Sequence, residues 1–270
     1  MAGYSATERP PDRGKGGLCA IHQPNLFPRL STLAKLYAAD CWVVLDDVQF
    51  ARRDYQHRAL LGSLPDQRQR QWLTLPTHLP RGRPTLIHEA RLVDPAKSRR
   101  KVALLLRQYY GASPFWPCFR EALRALLDLM QETDHADTIA ETSTRLLLDL
   151  LGWRGCVVRS STLPSRSGRS ERLADLAGAT GAVVYLCGTG GMHYLQPEAF
   201  RERAIEVAPF RIPTDGGPWT GAREISALWA LMSYGPREVA RYLRTPASGQ
   251  VLRSAAAGLD DRSRPAGRRP

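Results

Sequence analysis

Short runs of consecutive apolar residues alternate along this chain with segments in which apolar positions recur every three or four residues. Leu18-Cys19-Ala20-Ile21 and Trp42-Val43-Val44-Leu45 are runs of the first kind and read as strands buried on both faces. Between them Leu30, Leu33, Ala34 and Tyr37 keep helical spacing, so the chain opens strand-helix-strand. Such a unit favours a parallel pair joined by a right-handed crossover. Gln71–Leu75 and Leu86–Ala90 are further strand candidates, joined by a polar loop through Pro76 to Pro84. The middle is helical: Ala96–Tyr110, Pro114–Met130 and Ala136–Leu151 carry apolar residues three and four apart, and Gly152 ends the last of them. Cys156-Val157-Val158, Val183–Leu186 and Ile205-Glu206-Val207 are strands, with a short helix over Ser170–Ala179. Glu224–Met232 and Pro236–Leu243 are helices. The pattern predicts an α/β class: a mostly parallel central sheet flanked by helices, with a helical insertion at about 96–151.

The ends of the chain break this pattern. Residues 1–17 and 246–270 are rich in Pro, Gly, Ser, Ala and Arg without hydrophobic periodicity and are expected to be disordered. A single catalytic-sized domain over 18–245 remains. No apolar stretch approaches the roughly 20 residues needed to span a bilayer, and the N-terminus lacks the layout of a signal peptide, so the expected compartment is the cytoplasm, with no membrane partner. Five cysteines, odd in number and widely spaced, suggest reduced thiols, and no pair has zinc-ligand spacing, so no metal is expected. Of the net charge of +12, the tails carry +1 and +3, which leaves +8 on the segment between. The basic residues are almost all Arg and are spread without a recognisable nucleic-acid module, so no nucleic-acid partner is expected.

The chemistry gathers where strands end. Val183-Val184-Tyr185-Leu186 empties into Cys187, followed by Gly188-Thr189-Gly190-Gly191. A thiol at the carboxyl end of a strand is open to the crevice above a sheet, and the backbone N–H groups of Gly188, Gly190 or Gly191 can face a developing oxyanion. The first strand delivers His22, with Gln23 and Asn25 behind it; the second delivers Asp46 and Asp47. Thiol, imidazole and carboxylate on one rim are the parts of a cysteine-based acyl-transfer site, in which His22 is the base and Asp46 or Asp47 holds it. His193, six residues beyond Cys187, is a rival base. Gln49, Tyr55, His57 and Trp219 are candidates for the acceptor pocket.

His22-Gln23-Pro24-Asn25-Leu26-Phe27-Pro28, Val44-Leu45-Asp46-Asp47-Val48-Gln49-Phe50 and Tyr185-Leu186-Cys187-Gly188-Thr189-Gly190-Gly191 resemble the signature blocks of the WbqC-like family, and the resemblance spans roughly residues 18–240. Members occur among polysaccharide and natural-product biosynthesis genes. The family commonly has Ser at the position of Cys187 and no His at that of His193, so this chain resembles a sulfur-nucleophile subtype, similar to the carrier-protein-dependent, amide-forming condensing enzymes of lincosamide antibiotic pathways. That resemblance implies an acyltransferase of antibiotic biosynthesis. It would move an aminoacyl group from an acyl or peptidyl carrier protein onto Cys187 and then to a small-molecule amine, with no bound cofactor beyond the carrier's phosphopantetheine arm. Two other readings use the same residues: a sugar-nucleotide transferase whose Gly188–Gly191 turn cradles phosphate, and a non-catalytic scaffold.

Overall fold

The computed structural model describes residues 17–213 and 216–244. The expected tails lie outside the described residues, except that Gly17 opens the first strand. The first half runs β1 (Gly17–His22), α1 (Leu30–Tyr37), β2 (Cys41–Val44), β3 (Arg58–Gly62), β4 (Arg70–Thr74), β5 (Thr77–His78) and β6 (Arg91–Leu92). Then follow α2 (Pro95–Tyr110), α3 (Trp116–Glu132), α4 (Ala136–Leu150), β7 (Cys156–Arg159), α5 (Arg169–Ala179), β8 (Ala182–Gly188), α6 (Glu198–Arg201), β9 (Glu206–Phe210), α7 (Leu228–Tyr234) and α8, over 236–244.

Five strands make one parallel sheet in the order β7-β2-β1-β8-β9, flanked by helices, as the hydrophobic pattern predicts for the class. The three inner strands are continuous apolar runs because both faces are covered. Ala20, Trp42 and Val44 pack with the apolar stripes of α1 and α4, whereas Cys19, Ile21, Val43 and Tyr185 pack with α5 and α6. The helical insertion comprises α2, α3 and α4, with α4 lying against α1. Ser143 on α4 accepts the Phe27 amide at 2.9 Å, and Thr144 donates to the Asn25 carbonyl at 2.9 Å. These bonds fix the loop after β1, in which Phe27 takes a left-handed φ of 41° that a bulky residue holds only when its surroundings impose it.

Strand order creates a crevice. β1 leads through α1 to β2 on one side, and β8 leads through α6 to β9 on the other, over opposite faces of the sheet. Adjacent strands whose connections depart in opposite directions leave a cleft above their carboxyl ends. The β1–β8 register runs only from Gly17↔Ala182 to Cys19↔Tyr185. Beyond it the Ile21 carbonyl accepts a hydrogen bond from Lys35 Nζ of α1, at 3.2 Å.

Three sequence expectations change. Residues 86–90 are not a strand: the Glu89 carboxylate accepts the Leu86 amide at 2.7 Å, and Ile87–Glu89 winds into a 3-10 turn. β4 pairs with β3, a strand the pattern did not single out, antiparallel from Arg58↔Thr74 to Gly62↔Arg70. The helix expected from Glu224 begins at Leu228, because the Ser226 amide is committed to the Leu60 carbonyl at 2.7 Å. Nor are all five cysteines reduced. β2 and β7 are neighbours, so Cys41 and Cys156, 115 residues apart, come into register and form a disulfide, leaving Cys19, Cys118 and Cys187 free. Among the described residues no helix is long and apolar enough to cross a membrane.

Candidate functional site

A cleft of about 1020 Å³ occupies the crevice between the carboxyl ends of β1 and β8. Ile21, His22 and Gln23 form one lip and Cys187 through Gly191 the other, with the first turns of α1 and α5 closing the sides. Cys187 is buried and shares a strand face with Tyr185. The thiol donates to the Gly188 carbonyl at 3.4 Å. The glycine turn then folds back over it: a Cβ on Gly191 would stand 2.7 Å from Sγ, so only glycine lets the backbone pass this close. Among the described residues the amides of Thr189 and Gly190 donate no hydrogen bond to the chain, and both residues line the cleft.

The cation that faces Cys187 is Lys35, not His22 or His193. Lys35 is buried in an otherwise apolar stretch of α1, and its pKa falls from 10.5 to about 8 because burial penalises the ammonium more than Cys187 and Cys19 favour it. Burial likewise pushes the Cys187 thiol up, opposed by the Lys35 charge and by Tyr185. At neutral pH the resting pair is therefore thiol and ammonium. The polar residues Ser31, Thr32 and Lys35, at i, i+1 and i+4 of a helix that follows the first strand, were a signal for this face. Arg, not Lys, is this chain's usual cation, which added to it.

His22 lines the cleft, yet its ring turns toward α1, where Nε2 lies 3.3 Å from Thr32 Oγ1. Burial, then the charges of Lys35 and Arg29, hold its pKa well below the usual histidine range, so the imidazole is neutral. Neither expected carboxylate holds it. Asp46 is fully buried and accepts from Ser160 Oγ at 3.0 Å, Ser161 N at 3.0 Å and Ser161 Oγ at 2.7 Å, which ties the ends of β2 and β7 together. Asp47 pairs with Arg172 of α5 and with Ser160. An Asp46→Ala variant strands these donors and one partner of Arg159, and should cost about 3 kcal/mol. The expected reading is a fall in Tm on the order of 10 °C by circular dichroism; an unchanged Tm would refute this structural role.

The remaining sequence candidates divide. Gln23 lies in the cleft and accepts from Gln56 at 2.6 Å. Tyr55 stacks under Arg29, which does line it, with the guanidinium 4.2 Å from the ring centre. Asn25 is buried, its carbonyl held by α4, and Trp219 belongs to the core. His57 packs on Phe50 at 5.2 Å, and burial, with the charges of Arg58 and Arg52, lowers its pKa to about 4. Gln49 donates to the Arg83 carbonyl outside the cleft. His193 is exposed, edge-on to Tyr194, and does not line the cleft.

Sequence comparison adds a family to this geometry. The chain is similar to Uncharacterized protein Rv1507c of Mycobacterium tuberculosis (strain ATCC 25618 / H37Rv), at 25% identity over 213 residues, covering 78% of this chain and 86% of that protein. No solved structure gives a significant match. The match to the WbqC-like protein family runs over residues 23–237, from the β1 lip of the cleft to the start of α8, and the chain belongs to that family.

Proposed function

We propose that the chain is an amide-forming acyltransferase with Cys187 as its nucleophile, in natural-product biosynthesis of the kind that the lincosamide condensing enzymes carry out. The observation that carries this reading is the seating of the thiol: at a switch-point cleft, under a glycine turn with uncommitted amides, facing a lysine of lowered pKa. In the first step Lys35, as the free amine, takes the proton of Cys187 while sulfur attacks the carbonyl of an aminoacyl thioester on a carrier protein. The carrier's phosphopantetheine thiol leaves with that proton. The tetrahedral oxyanion sits against the amides of Thr189 and Gly190. In the second step a small amine, amino-sugar-like, attacks the acyl-cysteine; the amide forms, and neutral His22 on the opposite wall relays the proton that nitrogen sheds to the departing Cys187 sulfur, which restores the thiol. Thioester exchange is nearly isoenergetic, so no nucleotide is consumed.

Intact-protein mass spectrometry after incubation with a panel of aminoacyl carrier thioesters tests the reading. An acyl adduct that peptide mapping places on Cys187 supports it; no adduct, or one on Cys19 or Cys118, refutes it. A sugar-nucleotide transferase reading has the cationic lining of the cleft in its favour and predicts no adduct. Carrier proteins are usually acidic, and the segment over 18–245 is net basic, so charge should steer their encounter. Turnover at subsaturating carrier should then fall several-fold between 50 and 500 mM salt, as the screening length shrinks to a few ångströms, while turnover of an acyl-N-acetylcysteamine changes little. Equal salt sensitivity of the two donors would remove the electrostatic role.

A further inference from the structure

We infer that the arginine-lined part of the cleft is a phosphoryl-binding subsite. Among the described residues five cationic side chains line the cleft, Arg29, Lys35, Arg169, Arg172 and Arg223, against one carboxylate, Asp54. Two of the arginines carry an unmet demand: the Nε atoms of Arg29 and Arg172 are buried and have no hydrogen-bond partner among the described residues. Each guanidinium is anchored through a terminal nitrogen. Arg29 Nη1 donates to the Arg223 carbonyl at 3.0 Å while its plane lies over Tyr55, and Arg172 Nη2 pairs with Asp47. Arg169 is held over the ring of Tyr194, 4.9 Å from its centre. Native proteins rarely leave buried donors unpaired, and a guanidinium anchored through one nitrogen has further N–H groups to give an oxyanion.

The backbone reinforces the side chains. Arg29 is the residue before α1, and Arg169 and Arg172 lie in the first turn of α5, so two helix amino ends from opposite faces of the sheet meet at this cleft. Each carries partial positive charge. A phosphate or pyrophosphate directs three or more anionic oxygens out of one plane and so suits donors on both walls better than a planar carboxylate. The phosphate of a phosphopantetheine arm and that of a nucleotide present the same oxygens, so this subsite does not rest on the acyl-transfer reading.

Calorimetric titration of the wild-type protein with two matched pairs tests the inference and separates the sources: 4′-phosphopantetheine against pantetheine, and UDP against uridine. The expected result is that in at least one pair the phosphorylated member binds tenfold or more tightly than its counterpart. That advantage should drop to threefold or less in Arg29→Gln and shrink measurably in Arg223→Ala. The second variant removes only an exposed side chain, because Arg29 uses the backbone carbonyl of Arg223, so folding is not at issue. The pair that shows the advantage identifies the source. An advantage below tenfold in both pairs, or one that survives both substitutions, overturns the subsite and leaves acylation of Cys187 unaffected as a separate question.

Discussion

Cys187→Ala should abolish the acyl adduct and lower amide formation at least about a thousandfold, the scale on which removing a covalent nucleophile acts. No other described thiol can substitute. Cys41 and Cys156 are joined to each other, Cys118 is exposed on α3, and Cys19 is buried with its thiol pushed up to about 12, chiefly by burial. Cys187→Ser is the more discriminating variant, since it preserves the size of the side chain under the Gly191 backbone. A hydroxyl is far less acidic than a thiol, so Lys35 with a pKa near 8 is a poor match as its base. Any ester that forms is a worse acyl donor to an amine than a thioester. The serine variant should therefore acylate slowly and hold its adduct long enough for mass spectrometry to detect, with turnover between that of the wild type and the alanine variant. Near-normal turnover in Cys187→Ala would mean that the amine attacks the carrier thioester directly and that the covalent step is wrong.

The parallel sheet was legible because its inner strands are short apolar runs separated by segments of helical period, a contrast that local pattern carries in full. Cys187, His22 and the glycine turn were legible as cleft residues for the same reason: each ends a recognisable strand, and strand ends define the rim. What pattern could not carry was side-chain direction at that rim. His22 continues the strand face of Ala20 and turns to Thr32, while Cys187 shares the face of Tyr185, so two residues that share a cleft approach it from opposite faces of the sheet. Asp46 and Asp47 read as catalytic because two acids after an apolar strand are costly unless paired. Their partners, Ser160, Ser161 and Arg172, come from segments more than a hundred residues away. The Cys41–Cys156 disulfide was hidden in the same way, since only the strand order brings β7 beside β2. Lys35 went unread because a single lysine in an amphipathic helix normally lies on the solvated face.

Lys35→Met should make the protein more stable and less active at once. The folded pKa of about 8 lies below the ordinary 10.5, so between those values the unfolded chain binds a proton that the native chain does not, and wild-type stability gains from this group as pH rises through that window. Below pH 8 the buried ammonium is charged and its full cost remains, about 3 kcal/mol for a shift of this size. Methionine keeps the length and apolar stem of the side chain without the charge. It forfeits the hydrogen bond to the Ile21 carbonyl, worth about 1 kcal/mol, so the net gain at pH 7 is about 2 kcal/mol, or about 5 °C in Tm. Cys187 and Cys19 also face Lys35, and both thiols are raised; the test is therefore the difference between the two stability curves, which should narrow from pH 7 to pH 10. Activity should move the other way. Wild-type acylation at subsaturating thioester should climb with pH through about 8, as Lys35 becomes the free amine that takes the thiol proton. In the variant the rate should fall at least about a hundredfold at pH 7.5. Its pH limb should move upward, because Cys187 loses both its base and the positive charge that opposes the effect of burial. A Lys35→Met protein with wild-type acylation and an unmoved limb would reduce Lys35 to a plug between β1 and β8, and would return the search for the base to His22.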